Sequence, residues 1–246
     1  MLITTTQNSR IKNLRALYKD KNLRKTQGVF IAEGVNLVKD IPKNFLVKEL
    51  YIKESKYNQL TSLEKKFGIE AAVVKDGIFD AVSDTVTPSG VIALIEKPEF
   101  RLKAEGEMVI LLDGIKDAGN MGTIIRSSAA KGVKTVISIN GTDAYSPKAI
   151  RASMGGIFYV NVIECSAEEA LELLNGYKIV VLDMGGESIY GYKSGQSIAL
   201  TVGSEAHGLS EVIKNKADDV IAIPMKTGIE SLNAAVSISI AMFLIK

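Results

Sequence analysis

Only one cysteine, Cys165, and one histidine, His207, occur among the 246 residues. A single thiol excludes an internal disulfide framework and a cysteine-cluster zinc site. A single imidazole argues against a histidine-based catalytic metal centre, so no metal is expected. Long apolar runs are lacking too: the last one, Ala234 to Ile245, has 12 residues, where a bilayer span needs roughly 20. The start of the chain, MLITTTQNSRIKNLR, carries no apolar secretory segment. A soluble, cytoplasmic protein with no membrane partner is the expectation. What is present suits a buried core, with 46% hydrophobic and 24% charged residues.

Charge is scarce overall, at +2, but it is unevenly placed. The first 25 residues hold seven basic side chains (Arg10, Lys12, Arg15, Lys19, Lys21, Arg24, Lys25) against one acid, Asp20. A basic N-terminal end on a near-neutral body suggests contact with a polyanion, although a solvated helix face would look the same.

Along Asn8–Leu23, Ile11, Leu14 and Leu17 recur at helical spacing with basic residues between them, which predicts one amphipathic helix. A strand near Val29–Ala32 and a helix from Gly34 to Asp40 follow. Strands are then expected at Lys48–Ile52, Ala71–Val74 and Val91–Ile95, with helices at Ser55–Phe67 and Gly77–Val82 between them. This alternation predicts a small α/β domain over residues 1–98. The polar stretch Glu96–Glu107 contains Pro98 and Gly106 and supplies a linker, placed at 99–106.

A second domain is expected over 107–246. Its strands begin with MVILLDGI at Met108 and TVISIN at Thr135, and continue at Tyr159–Ile163, Lys178–Asp183, Ile198–Val202 and Val220–Ile223. Helices are expected at Met121–Lys131, after Ser146-Pro147, at Ala167–Leu174 and from Asn233. This predicts an open, mostly parallel sheet with helices on both faces.

Three strand-to-helix junctions in that half carry small and polar residues: DAGNMGTIIRSS around Asn120–Arg126, VGSEAHGLS around Gly203–Leu209, and IPMKTGIESLNAAVSISIA from Ile223 through Asn233. Ligands bind at such junctions, because strand ends leave a crevice and helix starts offer free N–H groups. No strand is followed by G-x-G-x-x-G, so a dinucleotide fold has no fingerprint here. Gly203 and Gly208 have P-loop spacing, but Leu209 stands where the phosphate-binding lysine would be, which argues against nucleotide hydrolysis.

These three clusters resemble the motifs of the SpoU/TrmH family of RNA ribose 2′-O-methyltransferases. The first motif corresponds to Asn120, Gly122, Ile124 or Ile125, and Arg126; the second to Gly203, Glu205, Gly208 and Leu209; the third to Ile223-Pro224-Met225 and Ser231-Leu232-Asn233. All occur in family order with no departure at the polar positions. Ser9-Arg10-Ile11-Lys12, Phe30-Ile31-Ala32-Glu33-Gly34 and Thr87-Pro88-Ser89-Gly90-Val91 resemble the ribosomal-protein-like substrate-binding extension of rRNA-directed members. The resemblance covers essentially the whole chain.

The resemblance implies a C-terminal trefoil-knotted α/β methyltransferase domain of the SPOUT class, preceded by a small RNA-binding domain. It further implies S-adenosylmethionine as cofactor, a structured RNA as substrate, rRNA rather than tRNA, and a homodimer formed through the C-terminal domain. For the cofactor it points to Met184, Gly185, Gly203, Ser204, Gly208, Ile223, Met225, Ser231, Leu232 and Asn233. For catalysis it points to Arg126, Asn120, Glu205, Ser231 and Asn233. Arg126 serves there either in removing the 2′-hydroxyl proton or, since guanidinium is a poor base, as a phosphate clamp. Arg10, Lys12, Arg15, Lys19, Arg24 and Arg126 are the candidate RNA contacts. Taken singly, Asn120 and Ser231 could be helix caps and Glu205 an exposed loop acid. His207 stands at a variable motif position, and Cys165 reads as structural. A non-catalytic RNA-binding module of the same fold, and transfer to a base nitrogen, remain alternatives.

Overall fold

The computed structural model describes residues 2–98, 108–228 and 231–245, so the expected linker 99–106 lies outside the described residues. The chain divides into two compact units; the first takes the N-terminal part together with Tyr145–Arg151, and the second takes the rest.

In the first unit the elements run β1 (Leu2–Ile3), α1 (Ser9–Lys19), α2 (Lys21–Gln27), β2 (Val29–Glu33), α3 (Val35–Asp40), β3 (Val47–Lys53), α4 (Tyr57–Leu60), α5 (Ser62–Phe67), β4 (Ala72–Val74), α6 (Asp76–Val82) and β5 (Val91–Glu96). The sheet order is β1-β4-β3-β5-β2, with β4 parallel to its neighbours and β5 antiparallel to both of its own. The periodicity of α1 is realised: Ile11, Leu14 and Leu17 are buried in a core with Ile31, Tyr51, Phe79 and Leu94. The single helix expected over Asn8–Leu23 is broken, however. Asp20 adopts an extended backbone and its Oδ1 accepts from the N–H groups of Asn22 and Leu23. A carboxylate that caps the next helix ends the previous one. The stretch 54–67 likewise divides into a single 3₁₀ turn and two short helices.

A buried carboxylate organises this unit. Glu33, only 6% exposed, accepts from Tyr18 Oη at 2.6 Å, Thr85 Oγ1 at 2.9 Å, the Asp84 N–H at 3.3 Å, and Ser83 Oγ. Burial first, then the Glu33 charge, holds the Tyr18 phenol far above its ordinary pKa, so it remains a donor. Asp84 in turn pairs with Arg151 at 2.7 Å, and Phe30 packs against the Tyr145 ring. These contacts account for the grouping of Tyr145–Arg151 with this unit.

The second unit continues through β6 (Met108–Asp113), α7 (Ala118–Lys131), β7 (Thr135–Ile139), α8 (Pro147–Ala152, grouped with the first unit through Arg151), β8 (Asn161–Cys165), α9 (Ala167–Leu173), β9 (Lys178–Ser188), β10 (Ile198–Gly203), α10 (Glu211–Lys214), β11 (Asp219–Ala222) and α11 (Ala234–Leu244). Its six strands are all parallel, in the order β11-β9-β10-β6-β7-β8. Starting from β6 the chain adds β7 and β8 on one side, and the later strands fill the other. The order therefore reverses between β6 and β10, where Asp113 lies in register with Gly203. Such a switch point leaves a crevice at the strand ends. No described helix is long and apolar enough to cross a membrane.

Replacing Glu33 with alanine strands three side-chain donors in a buried setting. A loss of about 3 kcal/mol is expected, read as a lower urea midpoint. An unchanged midpoint would show that water satisfies those donors.

Candidate active site

Each of the three junctions is shaped by a local constraint. At the start of α7 the cap is Asp117, whose Oδ1 accepts from the Asn120 N–H at 2.9 Å. Asn120 is thus not the cap, and its side-chain amide is left for longer-range contacts. After β10, Ser204 and Gly208 exchange two backbone hydrogen bonds of 2.9 Å each, closing Glu205–His207 into a tight turn. A Cβ on Gly203 would stand 2.2 Å from the Gly208 carbonyl carbon, so only glycine lets the chain fold back there. At the third junction Asn233 caps α11, its Oδ1 accepting from the Ala235 and Val236 N–H groups.

The three junctions meet at one atom. Glu205 Oε1 accepts from Asn233 Nδ2 at 2.6 Å, Asn120 Nδ2 at 2.9 Å and the Ala234 N–H at 3.3 Å. Asn233 Nδ2 also lies 3.1 Å from Asn120 Oδ1. Asn233 is therefore both a helix cap and a clamp, while Glu205 is a junction rather than a solitary loop acid.

Beside this cluster lies a cavity of about 230 Å³. Of the candidate residues, Met184, Gly203, Ser204, Glu205, Gly208, Ile223, Met225, Ser231 and Leu232 line it. Leu209, also of the second motif, lines it, as do Leu182, Asp183, Val202, Ile221, Ala222, Ala234 and Ser237, which were not among the candidate residues. Gly185 and Asn233 are not part of the wall. The strand expected at Lys178–Asp183 runs on through Met184–Gly186 as β9. Leu182 to Gly186 nevertheless have no opposite residue on β11, because the register jumps from Val181↔Val220 to Glu187↔Ile221. Asp183 Oδ1 accepts from the Gly185 N–H within this bulge. A Cβ on Gly186 would meet the β11 backbone at 2.6 Å, so glycine is what allows the bulged strand to rejoin its neighbour.

These walls fit S-adenosylmethionine by their chemistry. Leu182, Val202, Ile223 and Leu232 suit an apolar purine face, and Asp183 and Glu205 offer carboxylates to a cationic cofactor. The volume is just under the roughly 300–1,000 Å³ usual for small-molecule sites, so a nucleoside-sized ligand would extend beyond it.

Arg126 lies apart from the cluster. It is exposed, lines neither this cavity nor the one beside it, and its side chain makes no hydrogen bond or ion pair among the described residues. It stands six positions beyond Asn120 on α7, about 9 Å along the axis. Its backbone is held from behind: a Cβ on Gly156 would come within 2.9 Å of the Arg126 Cα. His207 is exposed, with its backbone N–H donating to Ser204 Oγ. It lines the neighbouring cavity together with Asn120 and Glu205. Burial and then Glu169 push the half-buried Cys165 thiol up to about 11, which keeps it unreactive. Among the described residues no group of His, Cys, Asp or Glu could hold a metal ion.

The basic candidates in the first unit separate into two kinds. Lys12, Arg15 and Lys19 are exposed on the face of α1 opposite its buried leucines. Arg10 is engaged by Glu49 at 2.7 Å and lies over the Tyr51 ring. Arg24 is 6% exposed, and its guanidinium donates to the Leu17 and Tyr18 carbonyls. It therefore ties off the end of α1 and is not part of an exposed basic face.

Residues 107–243 match the SpoU rRNA Methylase family, and residues 8–93 match the MRM3-like substrate binding domain. The chain is 30% identical over 246 residues to the 23S rRNA (guanosine(2553)-2′-O)-methyltransferase RlmP of Bacillus subtilis, covering 98% of this chain and 97% of that one. It is 25% identical to the mitochondrial rRNA methyltransferase 3 of Mus musculus, covering 95% of this chain and 71% of the relative. Its fold superposes on the AdoMet-bound rRNA methyltransferase from Sinorhizobium meliloti with a TM-score of 0.86 at 27% identity, over 99% of this chain and 96% of that one. With a matching arrangement of motifs at the switch point of a parallel sheet, this chain belongs to the SpoU rRNA methylase family.

Proposed function

We propose that this protein transfers the methyl group of S-adenosylmethionine to a ribose 2′-hydroxyl of ribosomal RNA. The observation that carries the reading is the convergence of Asn120, Glu205 and Asn233 on one hydrogen-bonded centre beside a cavity of suitable chemistry. When bound, the cofactor supplies an electrophilic methyl group on a sulfonium. The protein's task is alignment, which contributes roughly 7–11 kcal/mol in well-oriented displacements. Met184, Ile223, Met225 and Leu232 wall the purine end, with Gly203 and Gly208 allowing close backbone approach. Glu205, held from two sides by Asn120 and Asn233, fixes the mouth of the cavity. Ser231 and Ser204 offer hydroxyls at its edge.

Arg126 is the acceptor-side residue in this reading. A guanidinium keeps its proton at ordinary pH and presents a planar fork that matches a phosphate. Its exposure and its lack of a partner among the described residues suit a clamp on the RNA backbone that orients the ribose. Lys12, Arg15 and Lys19 extend the phosphate contacts from the first unit, which serves as the substrate-binding domain.

Two further features belong to the same reading, a trefoil knot in the C-terminal domain and a homodimer formed through α11. That helix buries Ala234, Ala235, Ile238, Ala241 and Met242 but exposes Val236, Ile240, Phe243 and Leu244 along one stripe. An exposed apolar stripe of this kind marks an interface.

Arg126→Ala is expected to lower transfer to rRNA by at least a hundredfold while leaving cofactor affinity within twofold by calorimetry. Normal turnover in that variant would sink the clamp. Replacing Lys12, Arg15 and Lys19 together with alanine is expected to weaken RNA binding. The slope of log affinity against log salt should fall by about 0.7–0.9 for each phosphate that is no longer neutralised. An unchanged slope would mean that the face is only solvated.

A further inference from the structure

A second cavity, of about 470 Å³, is walled by the same Ser204–Leu209 turn that bounds the first. The first cavity lies at the bulge of β9 and the ends of β10 and β11; the second is lined by Asp113 at the end of β6 and Asn140 after β7. Glu205 belongs to both. A donor bound on one side of this turn therefore has a separate compartment on the other.

The charged lining of the second cavity comprises three carboxylates, Asp113, Asp117 and Glu205, against one lysine, Lys116, and the His207 imidazole. Lys116 Nζ is already directed to the Asn140 carbonyl. Such a wall repels a phosphodiester. An ionised carboxylate can only accept hydrogen bonds, so it suits a neutral ring whose edge carries N–H groups. Asp113 lies on the floor, 4% exposed, and is fixed by the Ser210 N–H, which donates to Oδ2 at 2.6 Å. The hydroxyl of Ser210 is buried without a partner among the described residues. Buried polar atoms are rarely left unpaired, so this wall retains unused bonding capacity.

We propose that this cavity seats the base of the acceptor nucleotide and selects guanine. Its N1–H and N2 amino group form an adjacent pair of donors that a carboxylate accepts together, with Asp113 as the reading residue and His207 closing the rim. The proposal rests on the methyl-transfer reading above. It gives Asp113, outside the three motifs, and His207, at a variable motif position, a role in specificity, since a site built to accept two hydrogen bonds rejects a base that supplies one.

The test uses the full-length wild type, Asp113→Asn and His207→Ala. The substrate is the rRNA fragment that the wild type methylates, made with guanine or inosine at the acceptor nucleotide. Inosine lacks only the 2-amino group. The wild type is expected to prefer guanine at least tenfold in kcat/KM. Asp113→Asn is expected to lose at least tenfold on guanine and most of that preference. His207→Ala, on an exposed turn where folding is not at risk, is expected to raise the KM for RNA threefold or more. Cofactor dissociation constants stay within twofold in both variants. An equal guanine-to-inosine ratio in wild type and Asp113→Asn, with an unchanged KM in His207→Ala, overturns the assignment. A wild type that binds no S-adenosylmethionine and labels no rRNA refutes the methyl-transfer reading, and the base assignment with it.

Discussion

The oxygen Oε1 of Glu205 receives hydrogen bonds from the side chains of Asn120 and Asn233 and from the backbone at Ala234. Those partners come from junctions that are 85 and 28 residues from Glu205 along the chain. Glu205 is solvent-exposed, so its contribution to stability is small. Its importance is positional. Without this common acceptor, the starts of α7 and α11 would keep only the Asn233–Asn120 contact, and neither would be linked by a side chain to the turn after β10 at this point. The glycines act on the same constraint, since Gly203 and Gly208 fold the turn tightly enough to present Glu205 toward both asparagines.

Sheet topology places this centre where it can act. Because strand order reverses between β6 and β10, the crevice at their ends is not filled by a connection running straight across it. The turn after β10 divides that crevice into two cavities, with Glu205 at the boundary. The bulge in β9 shapes one of them, for Leu182, Asp183 and Met184 leave the ladder there and turn toward the cavity wall. A methyl donor and an acceptor need two adjoining compartments, and this arrangement supplies both.

Much of this was legible in the sequence because it is written locally. Periodicity disclosed α1, α7 and the parallel strands, and eight residues of the three motifs line the first cavity. What escaped depends on which of several contacts a side chain takes up. Asp20 breaks a continuous helical pattern by capping α2, which no periodicity reveals. Arg24 reads as a surface cation yet is buried against carbonyls at the end of α1. The glycines of Met184–Gly186 suggest that the strand has ended, yet β9 bulges through them and rejoins β11 at Glu187. The network around Glu33 joins residues 18, 33 and 83–85, and the second cavity draws Asp113, Lys116 and Asn140 from separate strand ends. Apart from the Asp20 cap, which is local but competes with an unbroken helical period, the determining interaction joins residues that are apart in sequence.

The central claim concerns which oxygen receives the methyl group. Purified protein incubated with methyl-labelled S-adenosylmethionine and unmodified rRNA fragments, followed by alkaline hydrolysis, addresses it directly. Alkali cleaves through a free 2′-hydroxyl, so a methylated ribose survives within a resistant dinucleotide. The account predicts that the label resides in that dinucleotide fraction. Label confined to mononucleotides would show base methylation and contradict it.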